Sequence, residues 1–419
     1  MPDPASLTAT EAARAIAAGT LTPAALWEAC QDRIRQRNGV VQAFAAIALS
    51  MPQARTGVLH GLPLGVKDAL DTADLPTEYN SPIWAGYRPR ADSACVAWAR
   101  AAGAIVLGKT VTTEFATRHP GPTTNPHDPA RTPGGSSSGS AAAVAAHFVP
   151  FAFGTQTAGS VIRPAAYCGV VGYKPSFGLV NRHGMKLMSE SLDTIGVMAR
   201  SVADCALLAG AVSGTDLGDP HQRPGAGPRI GLCRSPVWDR AAPETRAQFE
   251  RLPAQLAGAG ATVTEFALPG AYNRYEAQHT LIMNAESSRA LGWEMTMHAS
   301  QLSPMLRERM EWGLAQPAAS VHAAQVAQRG LQEGFAGLMA GLDCLVTPAA
   351  PGEAPEGLAW TGDAGFNFIW TGLHVPCVTV PAGVGPCGMP LGLQIVTPRG
   401  ADRAALVWAA WVAAAVRGG

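Results

Sequence analysis

Apolar positions between residues 6 and 47 recur at helical spacing, and Leu21-Thr22-Pro23 reads as a stop followed by an N-cap and a helix-starting proline. Two helices are therefore expected before any motif. Residues 93–111 predict a helix closed by Gly103 and a buried strand at Ala104-Ile105-Val106-Leu107. An alanine run, Ala141 to Ala146, predicts a helix start, and Pro150-Phe151-Ala152-Phe153 predicts a short strand. Further strands are expected at Ile230-Gly231-Leu232-Cys233, Ala261-Thr262-Val263-Thr264, Cys344-Leu345-Val346 and 392–396, with 275–340 mainly helical. Strands and helices alternate along the whole chain, which predicts an α/β fold with a large central sheet, mixed or parallel, covered by helices on both faces. The Gly-, Pro- and Asp-rich stretch Gly214 to Pro228 is the clearest linker.

Composition narrows the function. Lys plus Arg and Asp plus Glu both total 31, so no net field favours nucleic acid or an anionic membrane, and a small-molecule partner is expected. Charge is sparse at 15%, which suits tight packing and is compatible with a homodimer interface. Eight scattered cysteines with no CxxC pair suggest neither a zinc site nor a disulfide framework. The N-terminal segment lacks the pattern of a secretory signal, and the apolar run Ala404 to Val416 is shorter than the roughly 20 residues of a membrane span, so a cytoplasmic protein is expected.

Three segments carry candidate chemistry. Pro133-Gly134-Gly135-Ser136-Ser137-Ser138-Gly139-Ser140 enters a helix; alone it reads as a phosphate loop, a linker or a catalytic loop, although the lysine of the Walker pattern is missing. Gly154 to Pro164 (GTQTAGSVIRP) is a small-residue turn after a strand, whose successive N–H groups suit an oxyanion as well as an ordinary tight turn. In Gly61-Leu62-Pro63-Leu64-Gly65-Val66-Lys67-Asp68, a lysine ends an apolar strand. Such a lysine is a snorkelling side chain unless burial holds its amine neutral.

Taken together, Lys67, PGGSSSGS and GTQTAGSVIRPAAYCGVVGYKPS resemble the amidase signature family in order and spacing, the two key serines lying 24 residues apart. SLDTIGVMARSVADCALL and VPCVTVPAGVGPCGMPLGLQIV extend the likeness over nearly the whole chain. The resemblance implies a single domain over 1–419: an N-terminal helical pair at 1–50, a signature core at 51–210, a linker at 211–229, and the rest of the sheet and its helical cover at 230–419. It implies Ser160 as nucleophile, Ser136 as bridging serine and Lys67 as base, with a cis peptide at Gly135-Ser136. The amides of Thr157, Ala158, Gly159 and Ser160 would form the oxyanion hole, and Ser137 would order the loop. No cofactor or metal is required.

Ser138, Gln156 and Ala158 depart from commoner forms of the family, and Arg163 stands three residues past Ser160, where arginine two past is usual. This SVIRPAAYCG variant resembles bacterial malonamidase. Gly135, Ser137 and Arg163 are then candidate substrate-binding residues, and Arg163 either binds a substrate carboxylate, as in malonamate, or pairs internally with an acid such as Asp193. The alternatives are the amidase subunit of a tRNA-dependent amidotransferase and a broad aliphatic or aryl amidase without carboxylate recognition. Asp193, Arg200 and Asp204 read as a scaffold ion network, Cys168 as buried filler, and Phe366, Asn367, Trp370 and His374 as candidate pocket lining.

Overall fold

The computed structural model describes residues 3–53, 55–220, 222 and 226–417. The expected helical pair is α1 (Ala9–Ala17) and α2 (Pro23–Val41). Thr22 caps α2 by accepting from the Ala25 amide, and Pro23 occupies its first turn. Among the described residues eleven strands form one sheet: β1 (Phe44–Ile47), β2 (Pro63–Lys67), β3 (Ile105–Thr110), β4 (Phe151–Gln156), β5 (Val171–Lys174), β6 (Thr194–Ala199), β7 (Arg229–Leu232), β8 (Thr262–Glu265), β9 (Cys344–Pro348), β10 (Cys377–Val384) and β11 (Pro390–Val396). Their spatial order is β1-β3-β2-β4-β6-β5-β10-β11-β9-β7-β8. Strands from both sides of the 214–228 stretch join this sheet through the antiparallel β5–β10 pair; residues 221 and 223–225 of that stretch lie outside the described residues.

The sheet is mixed. β2 runs parallel to β3 and β4, and β7 parallel to β8 and β9, while the strands between these blocks pair antiparallel. Every residue of β2, β4, β5 and β6 is buried, as continuous apolar runs covered on both faces require. The cover includes α3 (Ala94–Ala101), α4 (Ser138–Ala145), α5 (Ile162–Tyr167), α6 (Val202–Ser213), α7 (Pro243–Gly258) and, at the C-terminus, an apolar helix at Asp402–Arg417. Helices α4 and α5 pack on one another and on the middle strands. Helix α6 and the C-terminal helix pack on each other and on neighbouring strands. Between β8 and β9 the expected helical region holds α8 (Tyr275–Ala290), α9 (Gly292–Met297), α10 (Pro304–Leu314) and α11 (Ala318–Leu338). No described helix is long and apolar enough to cross a membrane.

Helix α4 explains its own composition. All of its first seven residues are small or β-branched and buried, and a Cβ on Gly139 would stand 2.2 Å from the Ala43 carbonyl oxygen and 2.3 Å from the Val111 nitrogen. Only glycine lets the backbone approach so closely.

The expected ion network forms only in part: among the described residues Asp193, Arg200 and Asp204 make no direct ion pair, although the Asp204 field favours the charged Arg200. Arg200 donates instead to the carbonyls of Val149, Ala5 and Leu7, and Asp204 accepts from the amide and hydroxyl of Thr10. Asp193 and Arg200 flank the six residues of β6, which at about 3.3 Å per residue holds their backbones roughly 23 Å apart.

Candidate active site

Each segment is delivered by the end of a parallel strand or by the helix that follows it. β2 ends on Lys67, β4 runs into the turn at 157–161, and the Gly-Ser loop precedes α4. The Gly135-Ser136 peptide is cis. A Cβ on Gly135 would lie 2.8 Å from Thr361 Cγ2, so the loop is pressed against a C-terminal segment as well.

Lys67 is fully buried, and its Nζ lies 2.8 Å from Ser136 Oγ, 2.7 Å from Thr155 Oγ1 and 3.5 Å from the Thr155 carbonyl oxygen. Burial pulls its pKa down to about 7, against a weaker opposing pull from Asp193. A neutral amine has two N–H groups and one lone pair. The Thr155 carbonyl can only accept and Thr155 Oγ1 can take the second N–H, which leaves the lone pair for the hydroxyl of Ser136. That is the geometry of a general base.

Ser137 exchanges hydrogen bonds with the Thr155 backbone, donating to its carbonyl and accepting from its amide, both at 3.2 Å. Ser140 Oγ donates to the Phe153 carbonyl at 2.8 Å, and Ser138 Oγ to that of Val111 at 3.3 Å. The loop is thus stitched to β4 and to the end of β3.

The turn after β4 is braced from behind. Gln156 Oε1 accepts from the amides of Val161 (2.8 Å) and Ile162 (3.0 Å), satisfying the first turn of α5, while its Nε2 donates to Thr371 Oγ1 at 2.9 Å. Thr371 Oγ1 in turn donates to the Ala158 carbonyl at 2.5 Å. Gln156, one of the residues that depart from the commoner form of the motif, therefore satisfies the first turn of α5 with its side chain. Thr157 Oγ1 donates to Asp193 Oδ1 at 2.5 Å, and Asp193 Oδ2 accepts from the amides of Met188 and Ser189. A Cβ on Gly159 would stand 2.3 Å from Asn367 Oδ1. None of the amides of residues 157–160 donates to a protein group among the described residues.

A pocket of about 130 Å³ is lined by Ser160, Thr157, Ala158 and Arg163, by the apolar Met188, Met283 and Phe368, and by the 360–364 segment. Its volume lies below the roughly 300–1,000 Å³ of drug-sized sites, so it suits a small ligand. Ser160 Oγ has no hydrogen-bond partner among the described residues, and no bond joins it to Ser136 in this structure. Arg163 is buried, with Nη2 donating to the Gly135 carbonyl at 2.6 Å and to Thr361 Oγ1 at 3.2 Å, while its Nε has no partner among the described residues. Burial pulls its pKa down to about 10. The internal partner expected for it, Asp193, is occupied by Thr157 and two backbone amides and makes no ion pair with Arg163.

The C-terminal lining differs from expectation. Of helix α12 (Gly365–Gly372), Phe368 reaches the pocket and Phe366, Asn367 and Trp370 do not, because the helix is buried on every side. His374 borders another cleft, beside Ser191. Sequence reasoning missed Thr155, Arg118, Arg309 and the 360–364 segment; only Thr155 sits inside a motif that pointed to it. Cys168 is buried, its thiol pushed up by burial, and it donates to the Pro133 carbonyl at 3.4 Å. Among the described residues no group of three or more His, Cys, Asp or Glu side chains has metal-binding geometry.

A buried amine against one serine, beside a small-ligand pocket that exposes a second serine at a turn of free amides, is the equipment of an acyl-transfer hydrolase that works without histidine. Residues 13–406 match the amidase family model, and the chain belongs to that family: it is a hydrolase of amide C–N bonds. It is 33% identical to a glutamyl-tRNA(Gln) amidotransferase subunit of Salinispora arenicola, over 96% of each chain. A crystal structure of an amidase superposes with a TM-score of 0.88 at 30% identity, covering 98% of this chain and 100% of that one. A peptide amidase in complex with the competitive inhibitor chymostatin gives 0.83 at 29% identity, covering 98% of both. These similarities carry the family.

Proposed function

We propose that the chain hydrolyses a small primary amide whose acyl end carries a carboxylate, malonamate being the simplest, through an acyl-enzyme on Ser160. The supporting observation is Arg163: a buried guanidinium in the wall of the Ser160 pocket, with one nitrogen unpartnered and no ion pair. Removing a guanidinium from water without a counterion is costly, and a substrate carboxylate offsets that cost while fixing the amide's orientation.

In this reading neutral Lys67 takes a proton from Ser136 as Ser136 takes one from Ser160, whose oxygen attacks the carbonyl. The amides of Thr157, Ala158, Gly159 and Ser160 receive the oxyanion, each worth about 3 kcal/mol of barrier. Ser136 gives its proton to the leaving nitrogen and regains one from Lys67, ammonia departs, and water repeats the sequence on the acyl-enzyme with Lys67 again neutral.

A second reading is favoured by the amidotransferase relative to which the chain is similar. Glutamine is also an amide bearing a carboxylate, and a polypeptide releasing ammonia from it to a partner would use the same groups. Ammonia release from malonamate, glutamine and propionamide separates the readings, with and without proteins that copurify with the chain. Under the first reading malonamate turns over without a partner, Ser160→Ala abolishes turnover, and Arg163→Ala removes the preference over propionamide. Equal rates on malonamate and propionamide refute the carboxylate reading, and glutamine turnover that requires a partner moves the assignment to the amidotransferase role.

A further inference from the structure

Residues next to the wall of the Ser160 pocket line a second cleft: Met188 and Ser287 face the pocket, whereas Glu190 and Glu286 face the cleft. Its volume is about 590 Å³, within the roughly 300–1,000 Å³ of sites that enclose a whole small molecule. Three guanidiniums line it, those of Arg182, Arg329 and Arg399. Arg182 lies over the Phe177 ring and donates to the carbonyls of Glu190 and Asp193, so it meets no carboxylate. Arg329 and Arg399 are exposed and make no hydrogen bond or ion pair among the described residues. Of the two carboxylates, Glu286 accepts from the hydroxyls of Ser189 and Ser191 and from Gln325 Nε2, while that of Glu190 is free among the described residues. Two buried acceptors complete the lining. Gln328 is only 4% exposed, and its Oε1 has no partner among the described residues. His374 Nε2 lies 2.7 Å from the Ser191 carbonyl, which can only accept, so Nε2 carries the proton and the unpartnered Nδ1 is an acceptor. Burial pulls the pKa of this histidine down to about 4, so the ring stays neutral.

We propose that this cleft is a binding site, separate from the Ser160 pocket, for an acidic amino acid carrying two carboxylates and one ammonium. Charge balance selects the class: three guanidiniums against two carboxylates leave one positive charge, and an acidic amino acid brings one negative charge. Its carboxylates meet the free forks of Arg329 and Arg399, whose planar donors match them. Its ammonium meets Glu190 and supplies the N–H groups that Gln328 Oε1 and His374 Nδ1 lack. A plain dicarboxylate has no such donors, and a neutral amino acid leaves one guanidinium unmet. The cleft is tied to the catalytic turn by hydrogen bonds in series: Glu286 holds Ser189, the Ser189 amide holds Asp193, and Asp193 holds Thr157. A ligand there stands directly behind the turn that carries Ser160, whichever amide is hydrolysed in front of it.

The test is isothermal titration calorimetry of the full chain with L-glutamate, glutarate, which lacks the ammonium, and L-norvaline, which lacks the second carboxylate. None of the three has an amide, so turnover does not intervene. Wild type, the double variant Arg329→Gln/Arg399→Gln and Arg163→Ala are each titrated, and an unchanged melting temperature checks that the double variant folds. L-Glutamate is expected to bind wild type about tenfold more tightly than either analogue. Its Kd should rise about tenfold in the double variant and stay unchanged in Arg163→Ala. No saturable binding of L-glutamate, or a Kd unchanged in the folded double variant, overturns the site. Binding lost in Arg163→Ala but kept in the double variant puts the ligand in the Ser160 pocket and overturns it too. Glutarate or L-norvaline binding as tightly as L-glutamate overturns the assignment to an acidic amino acid.

Discussion

The pH dependence of the reaction should report directly on Lys67. An ordinary lysine amine, with a pKa near 10.4, is neutral in fewer than about one molecule in a thousand at pH 7; at the value of about 7 that burial imposes, half are neutral, a gain of roughly a thousandfold in competent base. kcat/KM should therefore rise through pH 7, standing at about one-tenth of its plateau at pH 6 and about nine-tenths at pH 8. Replacing the base with Lys67→Met should lower kcat/KM by about 10²–10⁴. The same shift has a stability cost whose sign can be worked out. Because the folded pKa lies below the unfolded one, unfolding takes up a proton between pH 7 and 10.5. The penalty is full below about pH 7 and fades as pH rises to 10.5. Lys67→Met should accordingly unfold at a higher temperature than wild type at pH 7, with the gap narrowing by pH 10. A pH profile flat from 5 to 9, an acid limb above pH 9, or a Lys67→Met protein less stable than wild type at pH 7 would refute this account of the amine.

Asp193 is the one charge whose field raises the Lys67 pKa, so Asp193→Asn should move the acid limb of kcat/KM to lower pH; a limb that stays or rises counts against the coupling. Gln156→Ala strands the amides of Val161 and Ile162 in the interior, at about 1–3 kcal/mol each, and should lower both the melting temperature and kcat, whereas Gln156→Glu keeps the acceptor and should lose less. Gly139→Ala forces a methyl against the Ala43 carbonyl and should destabilise the fold by about 2 kcal/mol or more in denaturant titration.

The mixed sheet, the N-terminal helices and most strands were legible because they follow period and punctuation: Pro23 after Thr22, Gly103 before β3, continuous apolar runs in β2 and β4. β6 and β10 gave weaker signals, since TIGVMA and CVTVPAGV interrupt their apolar runs with Thr, Gly or Pro, and their pairing is fixed by distant strands. Lys67, Ser136 and Ser160 stood out only as a set. No property of the isolated KDA or GSSS stretches shows that an amine will be buried or which hydroxyl it will meet. Arg309 was invisible for a related reason. In LRERMEW it alternates with other charges on a helix, and its difference from Arg307, which lies near Glu311, comes from the packing of α10 on α8. Asp193 misleads because β6 carries it away from Arg200, whereas Arg200 and Asp204 stay near one another but spend their hydrogen bonds on backbone groups and Thr10.

The brace behind the Ser160 turn joins residues more than two hundred positions apart, since Thr371 holds both Gln156 and the Ala158 carbonyl and Asn367 abuts Gly159. During synthesis the ribosome completes Lys67, Ser136 and Ser160 long before it reaches α12. Until that last segment docks, the turn lacks its rear support, and a growing chain displays the serine without the rigid cradle that would make it reactive. A fragment that ends before α12 is therefore expected to lack this support, and to release no ammonia from amides that the full chain cleaves.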